Sequence, residues 1–280
     1  MTTAFAQTSS TSLTTVPAAT TQTASIPDLD YSAMTQFIRS FSVEERGRTN
    51  IFYKAVRSDG KPFLNAYAKY LAGQDITDLN RDGQLAYWLN VQNLLVIKAI
   101  TEDTKKTNLK KFRGTGDAPG TLWTNPRIMI DGVNLSIVDI ENKITDGWKD
   151  TPNLVYGLYQ GVKGGPRLHR ASFTAANVQE QLAKAAKLYV NANGIIKIRN
   201  KKVHVMPVYE WYKADLFGAD DQAVIDHIRS HAKANLAYEL SQVRGLKVVK
   251  LNYRTDNFVP PKPQVTQRIQ PSRGTGGFGS

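Results

Sequence analysis

The 280-residue chain contains no cysteine. That excludes a disulfide framework, a thiolate nucleophile and any cysteine-ligated zinc or iron–sulfur centre. Histidine is scarce: His169, His204, His227 and His231 are the whole set. His227 and His231 are spaced i, i+4 and share a helix face, but no H-E-x-x-H pattern accompanies them. They read as a surface pair, and no metal is expected. No stretch approaches the roughly 20 apolar residues that cross a bilayer, so no membrane span is expected. Internal repeats, a G-x-x-x-x-G-K-[ST] phosphate loop, a nucleophile elbow and any nucleic-acid motif are also missing. Nothing in the chain calls for a cofactor.

What is present is positive charge and a sizeable apolar fraction. Lys and Arg number 36 against 24 Asp and Glu, a net charge of +12, and 41% of the residues are hydrophobic. The charge clusters at Lys105-Lys106, at Lys110-Lys111-Arg113 and at Lys197-Arg199-Lys201-Lys202. This implies attraction to an anionic ligand or surface, such as acidic lipid or an anionic polysaccharide. The clusters lie in turns without interleaved aromatics, which disfavours nucleic acid. The alternative is a solvated basic face.

The ends differ from the middle. Residues 1–27 are rich in Ser and Thr and carry no charge, and residues 259–280 are rich in Pro, Gly and polar residues. Both read as disordered, leaving a single globular domain over 28–258. Ala4-Phe5-Ala6 before Gln7 resembles the small-residue end of a secretory signal peptide, although the charged and apolar regions that should precede it are missing. A periplasmic or secreted location is expected on that remnant, with the cytoplasm as the alternative.

Within the domain, Tyr31, Met34, Phe37, Ile38 and Phe41 recur at helical spacing, as do Phe63, Tyr67, Tyr70 and Leu71. Residues 84–100, QLAYWLNVQNLLVIKAI, are apolar almost all round, which predicts a central buried helix. Asp131-Gly132 predicts a hairpin turn, and Ser136 with Asp139 predicts a variant capping box opening a helix through Ile144. A helix is predicted over 175–191 with Gly194 just past its end, then a hairpin around Asn200-Lys201. Pro207 opens a helix holding Trp211 and Tyr212, and Asp220-Asp221 lead into another around Val224, Ile225 and Ile228. LKVVKLNY reads as a last strand. The class is α+β, a helix-rich single domain with β-hairpins around a buried central helix.

LAYWLNVQNLLVIKAI resembles the aromatic-Trp-x-Asn-x-x-Asn helix of the family known as domain of unknown function 547. DLDYSAMTQF, NLSIVDIENKI, VYEWYKADLF and LNYRTD resemble further segments of that family, in order, over about residues 28–258. The family commonly reads Cys-Gly-x-x-x-Cys-Pro in the loop after PNLVYGL. Here Gln160, Gly161, Gly165 and Pro166 stand in those places. If relatives use that thiol for chemistry, this chain cannot; if they form a disulfide there, it lacks only a staple.

The candidate site residues follow from these motifs. The loop QGVKGGPR either nests an anion on its backbone N–H groups, aided by Lys163 and Arg167, or is a structural corner in which Gly161 or Gly165 takes a positive φ. Asn90 and Asn93 lie at i, i+3 on the apolar helix. They either pin loop backbone to the core or line a pocket. Glu141 and Asp215, with His169 as a second titrating group, could do acid–base work if they converge. The alternative for the carboxylates is helix capping and pairing with Arg127 or Arg167. Two functions stand: a non-catalytic binding protein whose cleft uses Asn90, Asn93, Lys163, Arg167, Trp211 and Tyr212, or a thiol-independent hydrolase or transferase acting on an amide or glycan bond.

Overall fold

In the computed structural model, which describes residues 28–45, 47–114 and 118–259, helix α1 (Ser32–Ser40) turns Met34, Phe37 and Ile38 inward. Strands β1 (Ser42–Glu45) and β2 (Arg48–Ile51) form an antiparallel hairpin. This hairpin is unannounced in the sequence because Glu44, Glu45 and Arg48 break the apolar alternation. Helix α2 (Tyr53–Ala55) runs through a π-turn at Val56–Gly60 into α3 (Lys61–Ala72). Then comes α4 (Arg81–Asp103), whose Asn80 cap accepts the Gly83 N–H at 2.8 Å. Leu85, Leu89, Val91, Leu94, Leu95 and Ile97 on α4 are fully buried. A helix apolar on every face must be covered on every face. The neighbours that cover it are α3, the short α6 (Thr121–Thr124) that follows α5 (Lys110–Arg113), then α7 (Ile137–Gly147) and α8 (Val178–Val190).

Between α6 and α7, β3 (Ile128–Ile130) and β4 (Val133–Leu135) pair around Asp131 and Gly132, both at positive φ. The capping box at Ser136 and Asp139 forms as the sequence predicts, with both reciprocal bonds present. A 3-10 turn, Pro152–Tyr156, leads into the glycine loop and on to α8. Strands β5 (Lys197–Arg199) and β6 (Lys202–Val205) turn at Asn200 and Lys201. Helices α9 (Val208–Trp211), α10 (Lys213–Phe217), α11 (Asp221–His231) and α12 (Ala234–Ser241) follow. Strand β7 (Leu246–Val248) closes the element order, parallel to β6. The architecture is α+β, a helix-rich domain with small sheets around a buried central helix.

Three local expectations are corrected. Helix α8 starts at Val178 rather than Ala175, because Asn177 Oδ1 accepts the Thr174 N–H and closes a turn there. Gly194 does not cap α8: the cap is Asn191, and Gly194 takes φ +82 further on, in the turn toward β5. The last strand ends at Val248 rather than running to Tyr253, since residues 252–255 instead bond the glycine loop and the Thr107–Leu109 segment. The segment 1–27, with Ala4-Phe5-Ala6-Gln7, and the tail beyond Val259 lie outside the described residues.

Candidate functional site

The glycine loop is a corner stitched from within. Gly161 takes φ +65, and a Cβ there would lie 2.2 Å from Ile100 Cδ1. Gly165 has no positive φ; a Cβ on it would meet Gln160 Cβ at 2.8 Å. The Lys163, Gly164 and Gly165 amides donate to Arg254 O, Asn252 O and Val162 O at 2.8, 3.3 and 3.0 Å. Those three N–H groups are therefore committed within the fold and do not nest an anion. Lys163 itself is exposed.

Gln160 is the hub of a buried polar network. Its Oε1 accepts from Arg113 Nε and Nη2 at 2.9 and 2.8 Å. Its Nε2 faces Glu141 Oε1 at 3.3 Å and the Tyr212 hydroxyl at 3.1 Å. The Arg113 guanidinium lies between the rings of Trp123 and Trp211, 4.4 and 4.0 Å from their centres. Arg113 thus leaves the basic surface cluster that its neighbours suggest. Glu141, 6% exposed, also accepts from Gln92 Nε2 and Trp123 Nε1 at 2.9 and 3.0 Å. Burial and the nearby Glu141 carboxylate push the Tyr212 phenol well up. Asn90 lies elsewhere on α4: its amide donates to Phe173 O at 2.8 Å and accepts the Phe173 N–H at 3.0 Å. It pins the segment before α8 to the core, while Asn93 Oδ1 is buried without a partner among the described residues.

The three titratable candidates are dispersed. His169 Nδ1 faces Gln181 Oε1 at 3.1 Å and its Nε2 faces Tyr156 O at 3.5 Å; burial, then the Arg167 charge, push the imidazole down to about 4. Asp215 is exposed on α10. No hydrogen bond or ion pair among the described residues joins any two of Glu141, His169 and Asp215. The expected ion pairs are also different: Arg127 pairs with Asp103 at 2.6 Å, and Arg167 with Glu44 at 3.8 Å.

A second buried cluster escapes sequence reasoning. Tyr159 donates to Asp256 Oδ2 at 2.5 Å and lies 3.1 Å from the Tyr53 hydroxyl. Burial pushes the Asp256 carboxyl up to about 6, against the pull of the Tyr159 hydroxyl, Arg48 and Lys163. The only local signal was the Asp in LNYRTD.

A groove of about 840 Å³ opens beside the glycine loop. Its walls are Gly165–Arg167 of the loop, Gly47 and Arg48 of the first hairpin, the C-terminal half of α8, and residues 230–233. Arg48, Arg167, Lys187 and Lys233 line it, and no Asp or Glu does. The two arginines are braced by backbone: Arg167 Nη1 donates to Gly47 O at 2.6 Å and Arg48 Nη2 to Gly165 O at 3.3 Å. Asn191 joins the helix ends, donating to His231 O at 2.9 Å and accepting the Lys233 N–H at 2.8 Å. His231 also lines the groove; burial, then Lys187, hold its pKa below the usual 6.5. His227 and His231 do share a face, with ring centres 4.9 Å apart, but both pack on Tyr156 and are half-buried rather than a surface pair. Among the described residues no group of three or more His, Cys, Asp or Glu could hold a metal ion. No helix among them is long and apolar enough to cross a membrane.

Of the residues expected to bind ligand, Arg167 alone lines this groove. Residues 76–190 match the family model described as protein of unknown function, DUF547. This bears out the resemblance across α4, the capping-box helix, the glycine loop and α8, while DLDYSAMTQF, VYEWYKADLF and LNYRTD lie outside the matched residues. No curated protein and no solved structure matches the chain.

Proposed function

We propose that this chain is a binding protein for anionic ligands, which seat in the groove between the glycine loop and the C-terminal half of α8. The observation that carries the reading is the lining: Arg48, Arg167, Lys187 and Lys233 converge there with no carboxylate among the lining residues. Cations that outnumber the carboxylates near them raise the local concentration of an anion and favour its capture, and Glu44, 3.8 Å from Arg167, stands outside the lining. The rival enzymatic reading needs Glu141 or Asp215 within hydrogen-bond reach of His169, and no hydrogen bond among the described residues joins them; the recess that His169 lines carries Glu44 and Glu180 instead, neither of them hydrogen-bonded to it. The reading keeps the extracytoplasmic setting expected from Ala4-Phe5-Ala6-Gln7, which cell fractionation tests.

Calorimetry with inorganic tripolyphosphate at low salt tests the groove. Lys187→Ala plus Lys233→Ala should weaken binding at least about tenfold, since each exposed cation removed takes with it a direct attraction. Lys105→Ala plus Lys106→Ala, away from the groove, should leave it unchanged. Equal loss from both pairs would reduce the effect to diffuse net charge and overturn the reading.

A further inference from the structure

The groove continues past Lys233. Asn191, Ala192, Asn193 and Lys233 also line a second cavity, of about 560 Å³, which reaches Gly194 and Asn235. Gly194 then lines a third, of about 340 Å³, whose charged residues are Lys197, Arg199 and Lys250, beside His204. Again no carboxylate lines it. The other end of the groove differs: the adjoining recess includes Glu44 and Glu180 among its cations. The positive path therefore runs one way, from Arg48 and Arg167 along the end of α8 to Lys250.

Along that path charge alternates with neutral polar groups. Two cationic stretches flank a middle where Lys233 is the one charge and the exposed amides of Asn193 and Asn235 have no side-chain hydrogen bond among the described residues. A single small anion would fill one cavity and leave two unexplained. A single-stranded nucleic acid would need rings on which to stack its bases. The aromatics that line the trough, Tyr156 and Tyr189, are 1% and 7% exposed, so their faces belong to the core.

We infer that the trough holds an extended, linear acidic polysaccharide, with carboxylate or sulfate groups at the two cationic stretches and sugar hydroxyls on the amides between. This rests on the anion-binding reading of the groove and adds the length and class of the ligand.

The test is a length series. Heparin-derived and polygalacturonate di-, tetra- and octasaccharides are titrated into the full chain and into a Lys197→Ala, Arg199→Ala, Lys250→Ala variant. All three side chains are exposed, so the variant should melt with the wild type. Linking two anionic ends on one chain should make the octasaccharide bind at least about tenfold tighter than the disaccharide. The variant should lose that gain and bind the disaccharide as the wild type does. Polygalacturonate carries carboxylates alone, so its length-dependent binding assigns carboxylate, whereas heparin binding that is lost on chemical desulfation, which leaves the carboxylates, assigns sulfate. Affinity independent of length, or a variant that keeps the gain, overturns the extended ligand while leaving tripolyphosphate binding intact. If tripolyphosphate fails to bind the wild type as well, the groove reading itself has failed. A single-stranded DNA of matched charge binding tighter than the octasaccharide would overturn the polysaccharide.

Discussion

Asn90 and Asn93 lie one turn apart on α4 and are almost equally buried, at 3% and 4% exposure. Their amides do different things. Asn90 satisfies both backbone groups of Phe173, so Asn90→Ala should cost about 1–3 kcal/mol by leaving them buried and unpaired. Asn93 Oδ1 is already unpaired, so Asn93→Ala should cost distinctly less. Urea melts of both variants check this, and equal losses would show that Asn90 is no pin. Titrating side chains give a second residue-level contrast. The Asp256 carboxyl titrates near 6 when folded against an ordinary 3.8, so its stabilisation is complete below 3.8 and is lost as the pH rises through 6. His169 and His227, both held near 4 against 6.5, run the other way: full stability above 6.5, lost as the pH falls toward 4. The opposing trends partly cancel in the wild type. Asp256→Asn removes the acid-side gain, so relative to the wild type it should lose up to about 3 kcal/mol more on going from pH 8 to pH 4. Chemical denaturation at pH 4, 6 and 8 measures it, and parallel curves for the two proteins would refute it.

At the scale of elements, the glycine loop shows how a corner is held. Gly161 and Gly47 both take positive φ, but a Cβ at Gly161 would strike Ile100 while one at Gly47 would meet nothing within 4 Å. Gly161→Ala should therefore cost roughly 2–4 kcal/mol, strain plus overpacking, against about 1 kcal/mol for Gly47→Ala. Thermal melts of the pair should rank them in that order. The cross-link absent from this corner is open to the same treatment. Gln160→Cys with Gly165→Cys brings together side chains whose Cβ atoms start at 2.8 Å, short of the usual 3.8 Å or so, so the bridge closes after a small backbone opening. Closing so short a loop stabilises by at most about 2 kcal/mol. Removing Gln160 takes one twice-used acceptor, Oε1, from the buried Arg113 and a donor from Glu141, which costs roughly 2–4 kcal/mol. The oxidised double variant should show no free thiol and still melt below the wild type. A raised melting temperature would mean that the network contributes little.

Across the whole molecule, the proposed anion capture in the basic groove should be sensitive to acidity. His231 faces the groove with Lys187 of α8, Lys233 beyond its own helix, and His227 and Tyr156 behind it. Because its pKa is held below 6.5, it is neutral at pH 7.5 and adds a positive charge to the groove on acidification. Binding of a heparin tetrasaccharide, whose sulfates stay ionised throughout, should tighten by up to about 10-fold once the pH falls far enough below 6.5 for that charge to develop. His231→Gln should flatten the trend. Unchanged pH dependence in that variant would assign the effect to another group.

The sequence by itself determined the class and most of the elements. The all-round apolar run of α4, the Ser136 capping box, and the Asp131-Gly132 and Asn200-Lys201 turns are local signals. Each element's burial period and end chemistry are written in its own residues. The hairpin at Ser42–Ile51 was illegible because it lies at the charged surface, where no alternation is required. What only the tertiary structure decided is which side chains meet. Glu141 and Asp215 are both carboxylates on helices, yet one is locked among Gln92, Trp123 and Gln160 and the other faces water. The groove is assembled from four segments, near residues 47, 166, 189 and 231, of which only the glycine loop at 166 carries a motif. Local patterning reports how a residue stands toward its own element, whereas convergence of charge from distant segments is fixed by long-range packing.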